Sequence, residues 1–466
     1  MIRRRLVSAT GGMGLATAFF MPIAAAGAID APMLMWAPLH TVELACAWVV
    51  FSIVAAVGLS WISQDPKPRR ESALILILSA PSFLSLLAIT GRNVTFGGEG
   101  LDTVRLVAIG CVAIGLIVAV VLWLAKPAVL VCTLRTVLPF GLFLLLPGVQ
   151  ALIALPIPLS NSAGSAVASG GAASAKTMGV GRGDNVYVLI FDEMAYDAAF
   201  AGGRVTLSSL SSRISTARVY HRAQAATEST DTSIAAYISA SPKRGAERRA
   251  DKTGLFEVAL AAGMETEVVG WYFPYCEALG SAATRCRSFS MYNAATVDDG
   301  FSLAAPFETV LNIWPFQLPT GVVKRPFAVR LHRAELEAIT TLAAAPPPAG
   351  PVLRWVHFNV PHVPWLEDTG PLAFRAFEQT RERYFRQVAE ADRVLETTLA
   401  AVERSAAGRN TTVVITADHG SRRGHAGDPL HVPLIVWSPT GTHRDINDDV
   451  RVADVLKSVL ASAIHR

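Results

Sequence analysis

The chain has 466 residues, 52% of them hydrophobic and only 17% charged, with a mean hydropathy of +0.39. Such an excess of apolar residues argues against a wholly soluble enzyme, and a formal net charge of +4 with a pI near 8.8 gives no case for nucleic-acid binding. The five cysteines contain no C-x-x-C pair, which argues against a cysteine zinc site.

The apolar excess lies before residue 158. Runs near residues 10–29, 41–62, 72–90, 103–125 and 131–157 are each long enough to cross a hydrocarbon core of about 30 Å, which predicts an α-helical transmembrane bundle of about five spans. Arg3, Arg4 and Arg5 precede the first run, Lys67, Arg69 and Arg70 follow the second, and Lys126 and Arg135 border the fourth and fifth. Positive residues stay on the cytoplasmic side, so an odd number of spans puts everything after the fifth outside the cytoplasm. The first run, ending in Ala24-Ala25-Ala26-Gly27, also reads as a cleavable signal peptide; the charge distribution favours an uncleaved span. Glu43 is costly in lipid and is expected to face the bundle, a head group or the outer interface. Residues 158–184, rich in Ser, Ala and Gly, read as a flexible linker. The expected division is a transmembrane domain 1–157, a linker 158–184 and an extracytoplasmic catalytic domain 185–466.

The catalytic part opens on NVYVLIF, residues 185–191, a continuous apolar run that reads as a buried parallel strand and delivers Asp192 and Glu193 at its carboxyl end. Residues 226–233, ATESTDTS, are rich in hydroxyls and lead into a helix-compatible stretch, placing Thr230 at a helix start. A metal-activated hydroxyl there would attack phosphorus or sulfur, although Ser/Thr clusters also serve as ordinary N-caps. Cys276 and Cys286 bracket a short loop and are the only cysteine pair in this domain, a candidate disulfide in an oxidising compartment. A helix near 328–345 precedes Pro346-Pro347-Pro348 and a strand Val352–Val356. Residues 372–404 carry Phe374, Phe377, Tyr384, Phe385, Val388, Leu395 and Leu399 near helical spacing, which predicts a surface helix packed on a sheet. TTVVITA, residues 411–417, repeats the first strand pattern and delivers Asp418 and His419 before Gly420. Two strand ends of one open α/β sheet can share a site, and carboxylates with an imidazole suit Zn²⁺ or Mn²⁺. Taken singly, each cluster reads equally as a strand-end acid capping the next helix. Arg422, Arg423 and His425 follow, readable as an anion-holding group or as a solvated basic turn.

These residues together resemble the alkaline phosphatase/sulfatase superfamily over roughly the last 280 positions. In sulfatases the nucleophile lies in C/S-x-P-S-R followed by L-T-G. Thr230, Ser233 and Ala240 fall at its nucleophile, serine and glycine positions, while Thr232 and Ile234 replace the proline and arginine. Threonine cannot become formylglycine, and it is the nucleophile of the membrane-bound phosphoethanolamine and phosphoglycerol transferases. His357-Phe-Asn-Val-Pro-His362-Val-Pro364-Trp365 resembles their H-x4-H-x-P-aromatic segment, and His431-Val-Pro resembles their downstream H-x-P. Ser421 stands where their glutamate often follows DHG, and their cysteine beside the nucleophile segment is absent.

The resemblance implies a C-terminal α/β/α sandwich of alkaline phosphatase/sulfatase type. It implies a divalent metal ion, Zn or Mn, held by Asp192, Thr230, Asp418 and His419, with Glu193 as a further ligand. His362 and His431 would contact the transferred group or a second metal, and Arg422 would bind substrate. The expected reaction moves a phospho-head group from a phospholipid donor to an envelope lipid or glycan through a covalent Thr230 intermediate. The expected setting is a multi-pass inner-membrane protein with its catalytic domain in the periplasm. A phosphodiesterase or sulfuric ester hydrolase with water as acceptor is the second reading, and a non-catalytic envelope scaffold the third.

Overall fold

The computed structural model describes residues 38–62, 184–239, 254–291, 293–297, 301–310, 326–363, 380–405, 407–422 and 425–465, with Met13, Leu15, Ala16, Phe19, Phe20, Ile23, Met35, Leu124, Ala125, Lys126, Ala128 and Leu366 between them. The third and fifth expected spans, nearly all of the fourth, and the linker up to 183 lie outside the described residues. So do Ala240, Pro364, Trp365, Phe374, Phe377 and Arg423. Two compact units are present, one drawn from Met1–Ser160 and Tyr292–Phe327, the other from Asn161–Met291 and Ala328–Arg466.

In the first unit, helix α1, Pro38–Ile62, overlaps the second expected span. It exposes Val42, Val49, Val50, Ile53, Val54 and Val57 and buries Glu43 and Ala47. Side chains at 38, 39, 41 and 59–62 lie outside the description, and among the described residues no helix is long and apolar enough to cross a membrane. Glu43 is turned inward and accepts the Ser302 N–H at 2.7 Å, while Asn293 meets His40 at 3.0 Å. Phe19, Phe20, Phe51 and Phe307 form an aromatic cluster beside these contacts. Residues 293–297 and 301–310, which lie within the range expected for the catalytic domain, thus pack in the first unit.

The second unit is built on an eight-stranded sheet: β1 Asn185–Asp192, β2 Ala217–Tyr220, β3 Glu265–Trp271, β4 Arg285–Phe289, β5 Val352–Pro361, β6 Thr411–Ala417, β7 Leu434–Trp437 and β8 Arg444–Ile446. The spatial order is β8-β2-β7-β6-β1-β5-β3-β4. Strands β6, β1, β5, β3 and β4 run parallel, and β7 is antiparallel to both its neighbours. All eight residues of β1 are buried, as an apolar run covered on both faces requires. The strand expected at Val352–Val356 is longer than its apolar run, and it carries His357 and Asn359 inside the sheet.

Helices α2 Thr230–Ser239, α3 Leu255–Ala261 and α6 Val452–Ile464 pack on one another, with α6 against β1 and β6. Helix α4, Pro326–Ala343, precedes the proline tract as expected. Helix α5, Arg381–Arg404, packs on β5 and buries Tyr384, Val388, Ala391, Leu395, Leu399 and Val402 along one stripe. Each such apolar side chain contributes roughly 1.5–3 kcal/mol when fully buried. Thr380 caps α5, its hydroxyl accepting the Arg383 N–H at 3.3 Å.

Cys276 and Cys286 are joined by a disulfide that ties the short helix Tyr275–Leu279 to β4, with Cα atoms 5.5 Å apart and a separation of 10 residues. Closing a loop of this size stabilises by about 2–3 kcal/mol through lost freedom of the unfolded chain. Urea unfolding of the full chain is expected to show that loss on reduction and in Cys286→Ser alike.

Candidate active site

The register of the sheet sets the geometry. Phe191 of β1 pairs with Ala417 of β6, so Asp192 and Asp418 each follow a paired residue and emerge side by side at the carboxyl edge. On the other side of β1 the pairing with β5 shifts after Phe191, and Asp192 comes level with Pro361, one residue before His362.

The chain leaves β1 through Glu193, whose φ of +64° is a left-handed conformation costly for a residue with a side chain. This turn aims the Glu193 N–H at Asp418 Oδ1, 3.1 Å away, and the His419 N–H donates to the same oxygen at 2.8 Å. Tyr384 of α5 fixes the turn from outside, its hydroxyl donating to the Glu193 carbonyl at 2.8 Å and accepting the Ala195 N–H at 3.0 Å. With Oδ1 so engaged, Asp418 Oδ2 is left toward Asp192 and His419.

His419 Nδ1–H donates to the Gly420 carbonyl at 2.8 Å, which leaves the Nε2 lone pair facing the Thr230 hydroxyl, 3.3 Å away. Gly420 is required by close approach: a Cβ there would meet the Asp428 and Pro429 backbone at 3.1–3.2 Å. Asp192, Asp418 and His419 are fully buried, and one ligand atom from each lies within 4.8 Å of the others.

This donor set fits a divalent cation. Both Asp192 carboxylate oxygens and Asp418 Oδ2 are buried with no hydrogen-bond partner, an arrangement that costs several kcal/mol unless a positive charge offsets it. Burial, with the neighbouring charges of Asp418 and Glu193, holds the Asp192 carboxyl well above the ordinary carboxylate range. Burial would raise Asp418 as well; the neighbouring His419 and the hydrogen bond from the Glu193 N–H outweigh it and hold Asp418 below that range.

Thr230 is the first residue of α2 and is buried. The hydroxyl cluster before it is local scaffolding. Thr227 N–H donates to Ser233 Oγ at 3.0 Å, Ser233 Oγ–H donates to the Thr227 carbonyl at 2.9 Å, and Ser229 meets Asp231 in a short contact. Tyr237, two turns on, donates to the carbonyls of Ala417 and Asp418 at 3.1 and 3.2 Å, fixing α2 to the end of β6. The helix start therefore lies beside the cluster, where the first N–H groups of a helix have no intrahelical partner and an anion can bind.

The remaining expected residues divide. Glu193 pairs with Arg422, both Nε and Nη2 lying 3.2 Å from its Oε1, and is not one of the three residues that converge. Arg422 is 43% exposed. His362 follows β5, with Nδ1–H donating to the Val363 carbonyl at 2.5 Å, and burial lowers its pKa. His431 is engaged by its own neighbours: Nε2 donates to the His221 carbonyl at 2.9 Å, and its ring stacks on Tyr196 at 4.1 Å. Sequence reading gave no role to His357, which the structure brings to 3.8 Å from Asp192 Oδ2, with Nδ1 on the Tyr275 hydroxyl at 2.9 Å. Burial holds His357 down at about 4, so it is a neutral imidazole beside the cluster. The H-x4-H spacing was its visible signal.

Residues 197–463, more than half of the chain, match the family model described as Sulfatase. No curated protein matches the chain. Solved structures of similar fold include a protein in the alkaline phosphatase superfamily from Vibrio parahaemolyticus, at 14% identity over 61% of this chain and 67% of that one, with a TM-score of 0.41. A phosphonate monoester hydrolase of Agrobacterium radiobacter matches at 13% identity over 60% and 73%, TM-score 0.37. One from Silicibacter pomeroyi matches at 14% identity over 60% and 73%, TM-score 0.38.

Thermal unfolding of the full chain with added Mn²⁺ or Zn²⁺ tests the centre. A ligand at a hundred times its Kd stabilises the folded state by about 2.7 kcal/mol, and Asp192→Asn or Asp418→Asn is expected to remove most of that increment. Because burial raises the Asp192 carboxyl and the ion competes with its proton, apparent affinity is expected to rise with pH through the range where Asp192 titrates. A pH-independent affinity, or an increment unchanged in both variants, contradicts the assignment.

Proposed function

Because the chain belongs to the sulfatase family, we propose that it is a metal-dependent phosphotransferase that moves a phospho-head group from a phospholipid donor to an envelope lipid or glycan through a covalent Thr230 ester. The observation that carries this reading is the Thr230 hydroxyl, at the start of α2 and 3.3 Å from His419 Nε2 beside the buried carboxylates. A threonine cannot supply the formylglycine hydrate of sulfate-ester hydrolysis, whereas its hydroxyl suffices to attack phosphorus.

Asp192, Asp418 and His419 would hold a divalent ion, Zn²⁺ or Mn²⁺, which when bound supplies Lewis acidity and positive charge to the site. The chain's own residues do the rest. Thr230 Oγ1 forms a bond to phosphorus as the bond to the leaving alcohol breaks, and that alcohol takes up a proton equivalent to the one Thr230 gives up. The N–H groups at the start of α2 face the non-bridging oxygens, where charge accumulates. His362 commits its Nδ1–H to Val363, so its Nε2 is free to accept the proton of the incoming hydroxyl in the second half-reaction. Arg422, steadied by Glu193, offers its remaining N–H groups to an anionic substrate at the mouth of the site. In this reading the N-terminal apolar runs anchor the protein in the inner membrane and the catalytic unit works in the periplasm, where donor head groups are within reach.

Hydrolysis is the second reading. Family membership itself favours it, and it needs only water in place of the acceptor hydroxyl.

Thr230→Ala is expected to lower turnover of a chromogenic phosphodiester by roughly 10³-fold or more, with Thr230→Ser retaining a measurable part. Mass spectrometry of envelope lipids and glycans from cells expressing wild type and Thr230→Ala separates the two readings. A Thr230-dependent mass increment identifies a transferase, and a Thr230-dependent loss of phosphate or sulfate a hydrolase. Full activity in Thr230→Ala rules out the covalent mechanism.

A further inference from the structure

Behind His362 lies a second polar knot that the proposed chemistry does not use. Helix α4 carries His332 and Glu335 one turn apart, both buried. Glu335 Oε2 accepts the indole N–H of Trp271, the last residue of β3, at 2.9 Å. Asn359 of β5 donates to His332 Nδ1 at 3.2 Å and to the His332 carbonyl at 2.8 Å. The Trp271 ring lies between two histidines, 5.3 Å from His332 and 5.1 Å from His362. Two acceptors in this knot, Glu335 Oε1 and Asn359 Oδ1, are buried without a partner.

We propose that Glu335 is a positioning residue for His362: its carboxyl links Trp271, whose ring lies against that of His362, to Asn359, three residues before His362 on β5. The Glu335 and Asn359 side chains lie within hydrogen-bonding reach of each other; as two acceptors Glu335 Oε1 and Asn359 Oδ1 cannot satisfy each other, but a proton on Oε1 would turn one into a donor, so that Oε1–H could bond Asn359 Oδ1 while Oε2 keeps the indole. Burial holds the Glu335 carboxyl well above the ordinary range, in keeping with that state. The groups that face it are Trp271 from β3, Asn359 from β5 and His332 from its own helix, which burial keeps neutral with a pKa of about 3. None of these is charged. A neutral carboxylic acid is thus one bolt of the frame, and it holds Trp271 against the ring proposed to take the acceptor's proton.

The inference rests on the proposed role of His362, and its test has one readout that needs no activity. Glu335→Gln presents the same pattern as the neutral acid, an amide donor to Asn359 and a carbonyl acceptor for Trp271, whereas Glu335→Ala removes both. In the full chain, Glu335→Gln is expected to keep kcat for a chromogenic phosphodiester within about twofold. Glu335→Ala is expected to lose between about tenfold and a hundredfold in kcat with little change in KM, the effect of a group displaced by about an ångström. The rate of His362 carbethoxylation by diethylpyrocarbonate, read by peptide mass spectrometry, should rise in Glu335→Ala and stay at the wild-type value in Glu335→Gln. Equal impairment of both variants, or a wild-type modification rate in Glu335→Ala, overturns the proposal. A wild-type chain inactive on every phosphodiester and sulfate ester, with the modification pattern as expected, would remove the functional reading and leave the positioning intact.

Discussion

Two carboxylates that repel each other are held in contact at the end of two adjacent parallel strands, and the rest of the site follows from that constraint. Neighbouring strands lie about 4.8 Å apart, so the pairing of Phe191 with Ala417 forces Asp192 and Asp418 together at a fully buried place. The fold offsets the repulsion unevenly. Asp418 collects the Glu193 and His419 N–H groups on Oδ1, while Asp192 has, among the described residues, His357 Nε2 at 3.8 Å and the charge of Arg422. One partner is therefore kept ionised and the other is left short of positive charge. The left-handed turn at Glu193 makes sense in the same terms, since it brings a backbone donor to the better-served carboxylate.

Much of this was legible in the sequence. The apolar runs at 185–191 and 411–417 became neighbouring central strands because a run without polar alternation fits only a sheet covered on both faces. The stripe read over 372–404 placed the covering helix, which runs from Arg381, and the lone cysteine pair of the domain formed its bond. Thr230 was visible through its hydroxyl-rich surroundings. What the sequence withheld were partners set by tertiary packing. Tyr275 reaches His357 across 82 residues and Tyr384 reaches Glu193 across 191, separations at which no local pattern survives. His357 was hidden differently, inside a strand whose apolar run stops just before it. His431 shows the opposite case: an H-x-P spacing marked it, but the structure engages its Nε2 with a backbone carbonyl and stacks its ring on Tyr196.

The first unit adds a point about polar residues in apolar helices. Glu43 and His40 are not stranded on α1; each meets a group from residues 293–302, a stretch supplied by the later part of the chain. A helix that exposes mainly valine and isoleucine thereby acquires an attachment that depends on direction, since a hydrogen bond fixes register where apolar contact permits sliding.

The antiparallel strand β7 has a consequence for how the mouth of the site can change. A parallel successor to β6 would have sent the chain across the sheet to the far edge before returning. Because β7 runs back alongside β6, residues 418–433 must turn at the catalytic edge itself. That one connection carries Asp418, His419, Gly420 and Arg422. Its first three residues are clamped by the strand end, Arg422 is paired with Glu193, and His431 is tied to His221 and Tyr196, so the room for change lies in the stretch between those anchors. Lengthening or recolouring that outer stretch would reshape what the enzyme admits without moving a single strand, so diversification of substrate and conservation of chemistry can proceed in one continuous piece of chain.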